Sequence, residues 1–198
     1  NFHPGRKIFE SRVDLDRNKI DWRRVDEVYK SPLFEPDSIG IDYVKQGTLG
    51  DCYFISALSR VAKQPELVEK LFDKTADTIL GKVHNSINIK CGAVVVYFHA
   101  FGRQTPVLID TFLPFYKGTN ELIFSKPSDK RYSAWFCLVE KAYAKLFGSF
   151  SNIIGGIFTS SIYSLFGYQP HDRYISDMMK EEKVTKKSPF DKIMEYKK

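Results

Sequence analysis

The nine residues Gln46–Phe54 have the sequence QGTLGDCYF and run directly into the apolar segment Ile55–Ala62. Two glycines and an aspartate predict a turn, so Cys52 falls where a helix begins. A helix N-terminus presents unpaired N–H groups and the positive end of the helix dipole, and both favour a thiolate over a thiol. Asp51 precedes the cysteine and is the expected N-cap residue. The stretch therefore predicts a buried helix that carries a reactive cysteine at its tip.

The helix terminus alone does not make Cys52 a strong nucleophile. Its field stabilises an anion by about 0.3–1 kcal/mol, and by ~2 kcal/mol in the best cases. Thiol proteases add an imidazolium partner, which completes the ionisation of the sulfur. Gln46 is placed to supply a different function, because its side-chain amide can donate a hydrogen bond to an oxyanion beside the sulfur. The pattern thus indicates a nucleophile and an oxyanion donor that still need a base.

Four separated blocks of sequence resemble the calpain family of cysteine proteases. They are QGTLGDCYFISAL at Gln46–Leu58, FGRQTPVLIDTFLP at Phe101–Pro114, NELIFS at Asn120–Ser125 and AWFCLVEKAYAKLFGSFSNIIGG at Ala134–Gly156. The resemblance covers Trp22–Gly156 and rests on the order and spacing of all four blocks. It implies an α+β fold, the first subdomain of a papain-like protease core, with a central buried helix starting at Cys52, further helices and a small antiparallel sheet.

Composition limits the class of protein. Hydrophobic residues make up 43% and aromatic residues 15% of the chain, which is enough for a packed core. We find no transmembrane stretch and no signal peptide. Three cysteines at wide spacing predict no disulfide framework and favour a reducing, cytoplasmic compartment. Much of the net charge of +6 comes from the C-terminal tail, so we expect no nucleic-acid partner.

We divide the chain into three regions. Residues 1–30 are a polar lead-in, 31–170 form the cysteine-bearing subdomain, and 171–198 are a charged tail or the truncated start of the next subdomain. The first residue is Asn1 rather than Met, which indicates a piece of a longer protein. Trp22 has two interpretations: a Trp-x-Arg element, which precedes the active-site segment in the calpain family, or the anchor of a surface helix.

The hydrophobic pattern outside the central helix predicts further elements. Pro65 opens a helix that extends to Phe72, and a longer helix begins at Trp135 and ends before Gly148. Cys137 lies within the longer helix and is expected to be a core residue rather than a reactive thiol. Three strands are expected, the first two paired as a hairpin: Cys91–Ala100, Thr105–Ile109 and Glu121–Phe124.

The sequence lacks an evident catalytic base. In papain-like enzymes the histidine follows the cysteine by about 130–150 residues, and no histidine stands there. Each histidine of the chain has an ordinary explanation other than a catalytic role. His99 falls in the predicted hairpin, and nothing around His171 resembles the family's histidine segment. The other two histidines are His3 and His84. The resemblance implies that a second subdomain supplies the histidine and an asparagine.

The resemblance also raises the question of calcium. In the family, a carboxylate three residues before the glutamine and a glutamate seven before that of the Glu-Lys-Ala-Tyr motif contribute to a calcium site in this half. Tyr43 and Ser133 occupy those positions here, and Asp42 is a weak candidate one residue away. Because calcium requires six to eight oxygen ligands, including carboxylates, we expect weak binding or none.

Two functional hypotheses remain. The first is the cysteine-bearing half of an intracellular endopeptidase acting on protein or peptide substrates, inactive alone because the catalytic histidine and asparagine are absent. The second is a catalytically incomplete calpain-like module that serves in protein binding or regulation. The presence of both Gln46 and Cys52 favours the first hypothesis.

Overall fold

The computed structural model describes residues 16–29, 43–72, 92–129 and 133–168. Within these ranges the helices are α1 Val25–Val28, α2 Cys52–Val61, α3 Pro65–Lys70, α4 Trp135–Leu146 and α5 Phe158–Phe166, with 3-10 turns at Arg17–Lys19 and Phe150–Ile153. The strands are β1 Ile20–Arg24, β2 Val44–Lys45, β3 Ala93–Ala100, β4 Arg103–Asp110, β5 Phe112–Tyr116 and β6 Lys126–Pro127.

Helix α2 is the central helix of the described residues. It begins at Cys52, as predicted, and its buried side chains recur along most of its surface: Phe54, Ile55, Ala57, Leu58 and Val61. The Phe54 ring stacks on that of Tyr143 in α4, with 3.9 Å between the ring centroids. Burial of this wide apolar face fixes the helix, so the position of its first residue is well determined.

Helix α4 packs beside α2 and is even more deeply enclosed. All ten residues of Trp135–Ala144 are buried, including Glu140 and Lys141. The predicted helix beginning at Trp135 is confirmed, and so is the prediction that Cys137 is a core residue. Two ionisable side chains in such a run need polar partners inside the protein.

The strands form three two-stranded antiparallel sheets within the described residues. Strands β3 and β4 make the predicted hairpin, with Ala100 opposite Arg103 and the turn at Phe101 and Gly102. Strand β1 pairs with β5, and β2 pairs with β6. The α+β prediction thus holds in its mixture of helices and antiparallel strands, although several small sheets replace the single sheet that was expected.

One of the two interpretations of Trp22 and one strand prediction are wrong. Trp22 lies in β1 opposite Pro114, because its strand pairs with the distant β5; this excludes the surface helix, and the Trp-x-Arg interpretation stays a prediction. Glu121–Phe124 contributes only an isolated bridge between Leu122 and Phe115, and the strand of this region is β6. The predicted tail, 171–198, lies outside the described residues.

No helix among the described residues has both the length and the apolar character needed to cross a bilayer.

Candidate active site

The loop that leads into α2 is held from below by the segment Ile123–Ser125. The backbone N–H and the hydroxyl of Thr48 both donate to the carbonyl of Ile123, each at 3.0 Å. Gly47 lies against the Phe124 backbone so closely that a Cβ at position 47 would be 2.0 Å from the Phe124 oxygen. Only glycine fits this approach, and the loop is therefore fixed by its contacts at Gly47 and Thr48.

Cys52 is the first residue of α2 and its side chain is exposed, in contrast to the buried Cys137. Asp51 occupies the N-cap position, as predicted, and its carbonyl accepts hydrogen bonds from the N–H groups of Phe54 and Ile55. Its side chain, however, makes no capping hydrogen bond. The expectation of carboxylate capping is wrong, because the Asp51 side chain turns into the core.

Gln46 is exposed at the start of the same loop. Its amide nitrogen donates to the carbonyl of Leu49 at 2.6 Å, and Leu49 is itself buried. A side-chain amide has two N–H donors, so this bond orients the group while using one of them. The loop therefore presents an oriented amide and an exposed thiol within seven residues of sequence.

A glycine-containing segment lines the other side of the start of α2. The N–H of Gly155 donates to the carbonyl of Gly50 at 2.9 Å, and the Tyr53 hydroxyl donates to Ile153 at 3.1 Å. A Cβ at Gly156 would lie 2.5 Å from the Tyr53 ring. The exposed pair Gly155–Gly156 thus borders the cysteine helix with bare backbone, which an extended peptide can approach.

Two buried acids lie behind this surface. The sequence predicted Asp51 as N-cap residue and gave Glu140 no role. Asp51 is 0% exposed and Glu140 is 2% exposed. Burial raises the pKa of Asp51 to about 6, an effect partly offset by the Glu140 side chain. Burial and then the Asp51 charge raise the pKa of Glu140 well above its usual range, against the opposing effect of hydrogen bonds from Ser125.

The described residues bring no histidine into an evident catalytic position. His99 is half-buried in β3 opposite Gln104, and its ring meets that of Tyr163 edge-on, with 6.4 Å between the centroids. The same ring lies against Gly167, where a Cβ would approach it to 2.4 Å. His99 is therefore a packed strand residue; the other candidates, His3, His84 and His171, lie outside the described residues.

The residues present do not fit a calcium ion in the described part of the chain. Ser133 is buried, and Tyr43 is half-buried with its carbonyl accepting from the Ser128 N–H. Among the described residues there is no group of three or more acidic, histidine or cysteine side chains that is able to hold a metal. Asp42, the weak candidate, lies outside them.

Comparison with known proteins gives a consistent family. A sequence model described as "Calpain family cysteine protease" matches residues 2–195. The protein named Calpain of Schistosoma mansoni is 30% identical over 151 residues, covering 76% of this chain and 19% of that protein. Calpain-10 of Mus musculus is 32% identical over 151 residues, with coverage of 76% and 21%. Calpain-5 of Caenorhabditis elegans is 28% identical over 175 residues, with coverage of 88% and 26%. The chain therefore spans about a fifth to a quarter of the length of these relatives.

Proposed function

This chain belongs to the calpain family of cysteine proteases, and from that premise we propose that it carries the nucleophile of an endopeptidase. The observation that supports this most directly is the exposed thiol of Cys52 at the first residue of α2. A sulfur at that position lies beside the first N–H groups of the helix and can be reached by a substrate carbonyl. The buried thiol of Cys137 lacks this access.

Gln46 is the proposed oxyanion donor. Its amide is oriented by the bond to the Leu49 carbonyl, and the second N–H of the group lies outside that bond. The backbone N–H of Cys52 is a further donor, because the first N–H groups of a helix have no partner within the helix. Two such donors directed at a developing negative charge stabilise the transition state of acyl transfer.

In the proposed reaction the Cys52 sulfur forms a bond to the carbonyl carbon of the substrate, and the resulting oxyanion is held by Gln46 and the Cys52 N–H. The C–N bond then breaks, the amine leaves with a proton, and water hydrolyses the thioester. A histidine oriented by an asparagine takes the thiol proton and returns it to the amine. We assign both to a second subdomain of a longer parent protein, outside residues 1–198. We therefore expect residues 1–198 alone to be inactive.

The setting we propose is the cytoplasm, with proteins or peptides as substrates. A compartment that keeps thiols reduced protects an exposed nucleophilic cysteine from oxidation. The bare backbone of Gly155–Gly156 beside Cys52 suits an extended peptide chain rather than a compact small molecule. We propose no cofactor, since the described donor set does not fit calcium.

The experiment is peptide-bond hydrolysis by the full-length natural protein, measured on casein and on a fluorogenic peptide. Cys52→Ala should lower kcat/KM by at least about 1,000-fold, because the covalent route is lost. The matched control is Ser56→Ala, an exposed position on α2 one turn further on, which should stay within about two-fold of wild type. Equal activity of wild type and Cys52→Ala would remove Cys52 from the mechanism. Absence of activity in both would favour the binding or regulatory module.

A further inference from the structure

The segment Ile123–Ser125, on which the loop before α2 rests, is the active-site floor. The Glu140 carboxylate accepts three hydrogen bonds from Ser125, the last residue of this floor. The N–H of Ser125 donates to both of its oxygens at 3.2 Å, and the Ser125 hydroxyl donates to Oε2 at 2.7 Å. From the other side, the Cys137 thiol donates to the Ser125 carbonyl at 3.1 Å. Because Glu140 and Cys137 lie on the same helix, α4 fixes Ser125 by both its donor and its acceptor groups.

Ser125 in turn belongs to the segment on which the active-site loop rests. The two residues before it supply the Ile123 carbonyl, which accepts both donors of Thr48, and the Phe124 backbone, which contacts Gly47. These loop residues follow Gln46 directly. A displacement of Ser125 is therefore transmitted through two backbone contacts to the amide proposed as oxyanion donor, although Glu140 itself is buried beneath the surface.

The Asp51 carboxyl lies at the other end of the same loop and has an unusual deficiency. Both of its oxygens are buried, and neither accepts a hydrogen bond from a donor within the described residues. The Glu140 carboxyl is its acidic neighbour, and each of the two acids influences the pKa of the other. Two ionised carboxylates cannot bond to each other, since both are acceptors only; a proton on either one provides the missing donor.

No cation balances this pair in the part of the chain that the structure describes, where the ion pairs involve other acids. Cys52 follows Asp51 in sequence with its side chain exposed. Two further titratable groups lie beside the pair: Cys137, next to Glu140, and Tyr53, next to Asp51. Burial raises the pKa of both, so both are neutral near pH 7. Two buried negative charges without a counter-ion are strongly unfavourable, and a single shared proton removes one of them.

We propose that Asp51 and Glu140 share one proton and that this carboxyl pair, acting through Ser125, positions the Gln46–Cys52 loop for the reaction. The inference rests on the proposed function, because it gives the two acids a part in the same site. They are positioning residues. Glu140 holds Ser125 of the active-site floor, which supports the loop that begins at Gln46. Asp51, the residue before the nucleophile, connects the start of α2 to Glu140 and so to that floor.

Glu140→Gln is the decisive variant. Its amide can donate to Asp51 while its carbonyl oxygen accepts from Ser125, so it reproduces the protonated acid without a titrating proton. The infrared spectrum of the full-length wild type minus that of Glu140→Gln, both at neutral pH, should show the C=O stretching band of a protonated carboxyl, which the variant lacks. Absence of the band from the wild-type spectrum would overturn the shared proton.

The positioning role is tested by kinetics in the same protein. Glu140→Gln should keep kcat within about three-fold of wild type, whereas Glu140→Ala should lower kcat at least about ten-fold with KM changed less than about three-fold. Ser125→Ala keeps the backbone bonds and loses the hydroxyl, so it should fall between them. It also provides the test if Glu140→Ala fails to fold. Equal kcat in wild type and Ser125→Ala, or a Glu140→Gln enzyme as slow as Glu140→Ala, would contradict the role.

The outcomes separate this inference from the proposed function. If Cys52→Ala keeps its peptidase activity, the proposed function fails, while the infrared band is unaffected. If Cys52→Ala is inactive and wild type lacks the band, only the carboxyl pair is refuted.

Discussion

Glu140 and Lys141 are neighbours on α4, equally buried at 2% and 1% exposure, yet they serve two different regions. Lys141 forms an ion pair with Asp110 at 2.5 Å and donates to the carbonyls of Asp110 and Phe112. Glu140 instead accepts a hydrogen bond from the Ser125 hydroxyl and lies beside a second acid, Asp51. Because successive residues on a helix point about 100° apart, α4 holds the β4–β5 corner with one side chain and the active-site floor with the next.

The difference between the two regions is one of charge balance. At the β4–β5 corner, burial lowers the pKa of Lys141, and Asp110 opposes this, so a cation faces an anion. Beneath the active site, two acids face each other without a cation among the described residues. The first arrangement needs nothing more to be stable, whereas the second depends on a proton. We therefore expect changes at the corner to affect stability alone and changes at the floor to affect stability and the cysteine together.

Gly47→Ala should have the largest effect, because it forces the loop off the floor. The new Cβ would lie 2.0 Å from the Phe124 oxygen, a backbone atom that cannot rotate away. We expect a loss of about 3 kcal/mol or more in the free energy of unfolding. The alkylation rate of Cys52 by iodoacetamide, followed by peptide mass spectrometry, should change with it.

Gly50→Ala is the matched control in the same loop. Its Cβ would meet only the Ile154 side chain, at 3.3 Å, and a side chain can adjust. If both alanine variants unfold at the same urea concentration as wild type, the segment Ile123–Ser125 is not a rigid support for the loop.

Lys141→Met should come next in size and should affect only the β4–β5 corner. The variant keeps most of the side-chain volume but removes the cation from the Asp110 carboxylate, which still accepts from the Phe112 N–H, and removes one donor from two carbonyls. Asp110 is partly exposed, so we expect a loss of about 2–3 kcal/mol rather than the full cost of a buried unpaired charge. The alkylation rate of Cys52 should stay within about two-fold of wild type.

Lys145→Met, one turn further along α4, is the control for that variant. Lys145 is only partly buried and donates to the Leu108 carbonyl, so its loss should cost about 1 kcal/mol or less. An equal loss in the free energy of unfolding in Lys141→Met and Lys145→Met would show that the buried ion pair stabilises the protein no more than the hydrogen bond of Lys145. A large change in Cys52 reactivity in Lys141→Met would mean that the two regions are coupled.

Sequence alone predicted the local elements better than the contacts between distant segments. The cysteine helix and α4 were predictable, because their apolar residues recur at helical spacing and Gly148 marks an end. The hairpin followed from alternating valines and aromatics and a glycine turn. These are local signals, and the position of Cys52 at the tip of α2 needs nothing else.

The errors concern partners that are distant in sequence. Trp22 lies in a strand because β5 pairs with it, and no local pattern reveals that pairing. Helix α5 lies in a stretch rich in serine and glycine, whose weak helix propensity concealed it until packing is considered. For Glu140 the signal was present, since an acid inside a long apolar helical run must find a partner. Sequence could not say that the partner was Asp51.

The smallest expected effect is on the pH dependence of the free energy of unfolding, and it reports on the proton shared by Asp51 and Glu140. Ordinary aspartate and glutamate have pKa values near ~4 in the unfolded chain. In the folded protein, the pKa of Asp51 is raised to about 6 and that of Glu140 is raised well above its usual range. The native state therefore holds more protons than the unfolded state above pH ~4, and stability falls as pH rises through this window.

Glu140→Gln removes one of these two protons, so its stability should decline less steeply above pH ~4 and level off once Asp51 has ionised. One proton corresponds to a slope difference of about 1.4 kcal/mol per pH unit at most. Urea unfolding of the 198-residue chain between pH 5 and pH 8 measures it. Glu121→Gln, which removes an exposed acid paired with Lys126, is the matched control for the loss of a carboxylate. Parallel curves for wild type and Glu140→Gln would mean that Glu140 is already ionised at pH 5. The Asp51–Glu140 pair would then depend on a bound proton no more than the β4–β5 corner does, and the difference in charge balance between the two regions would disappear.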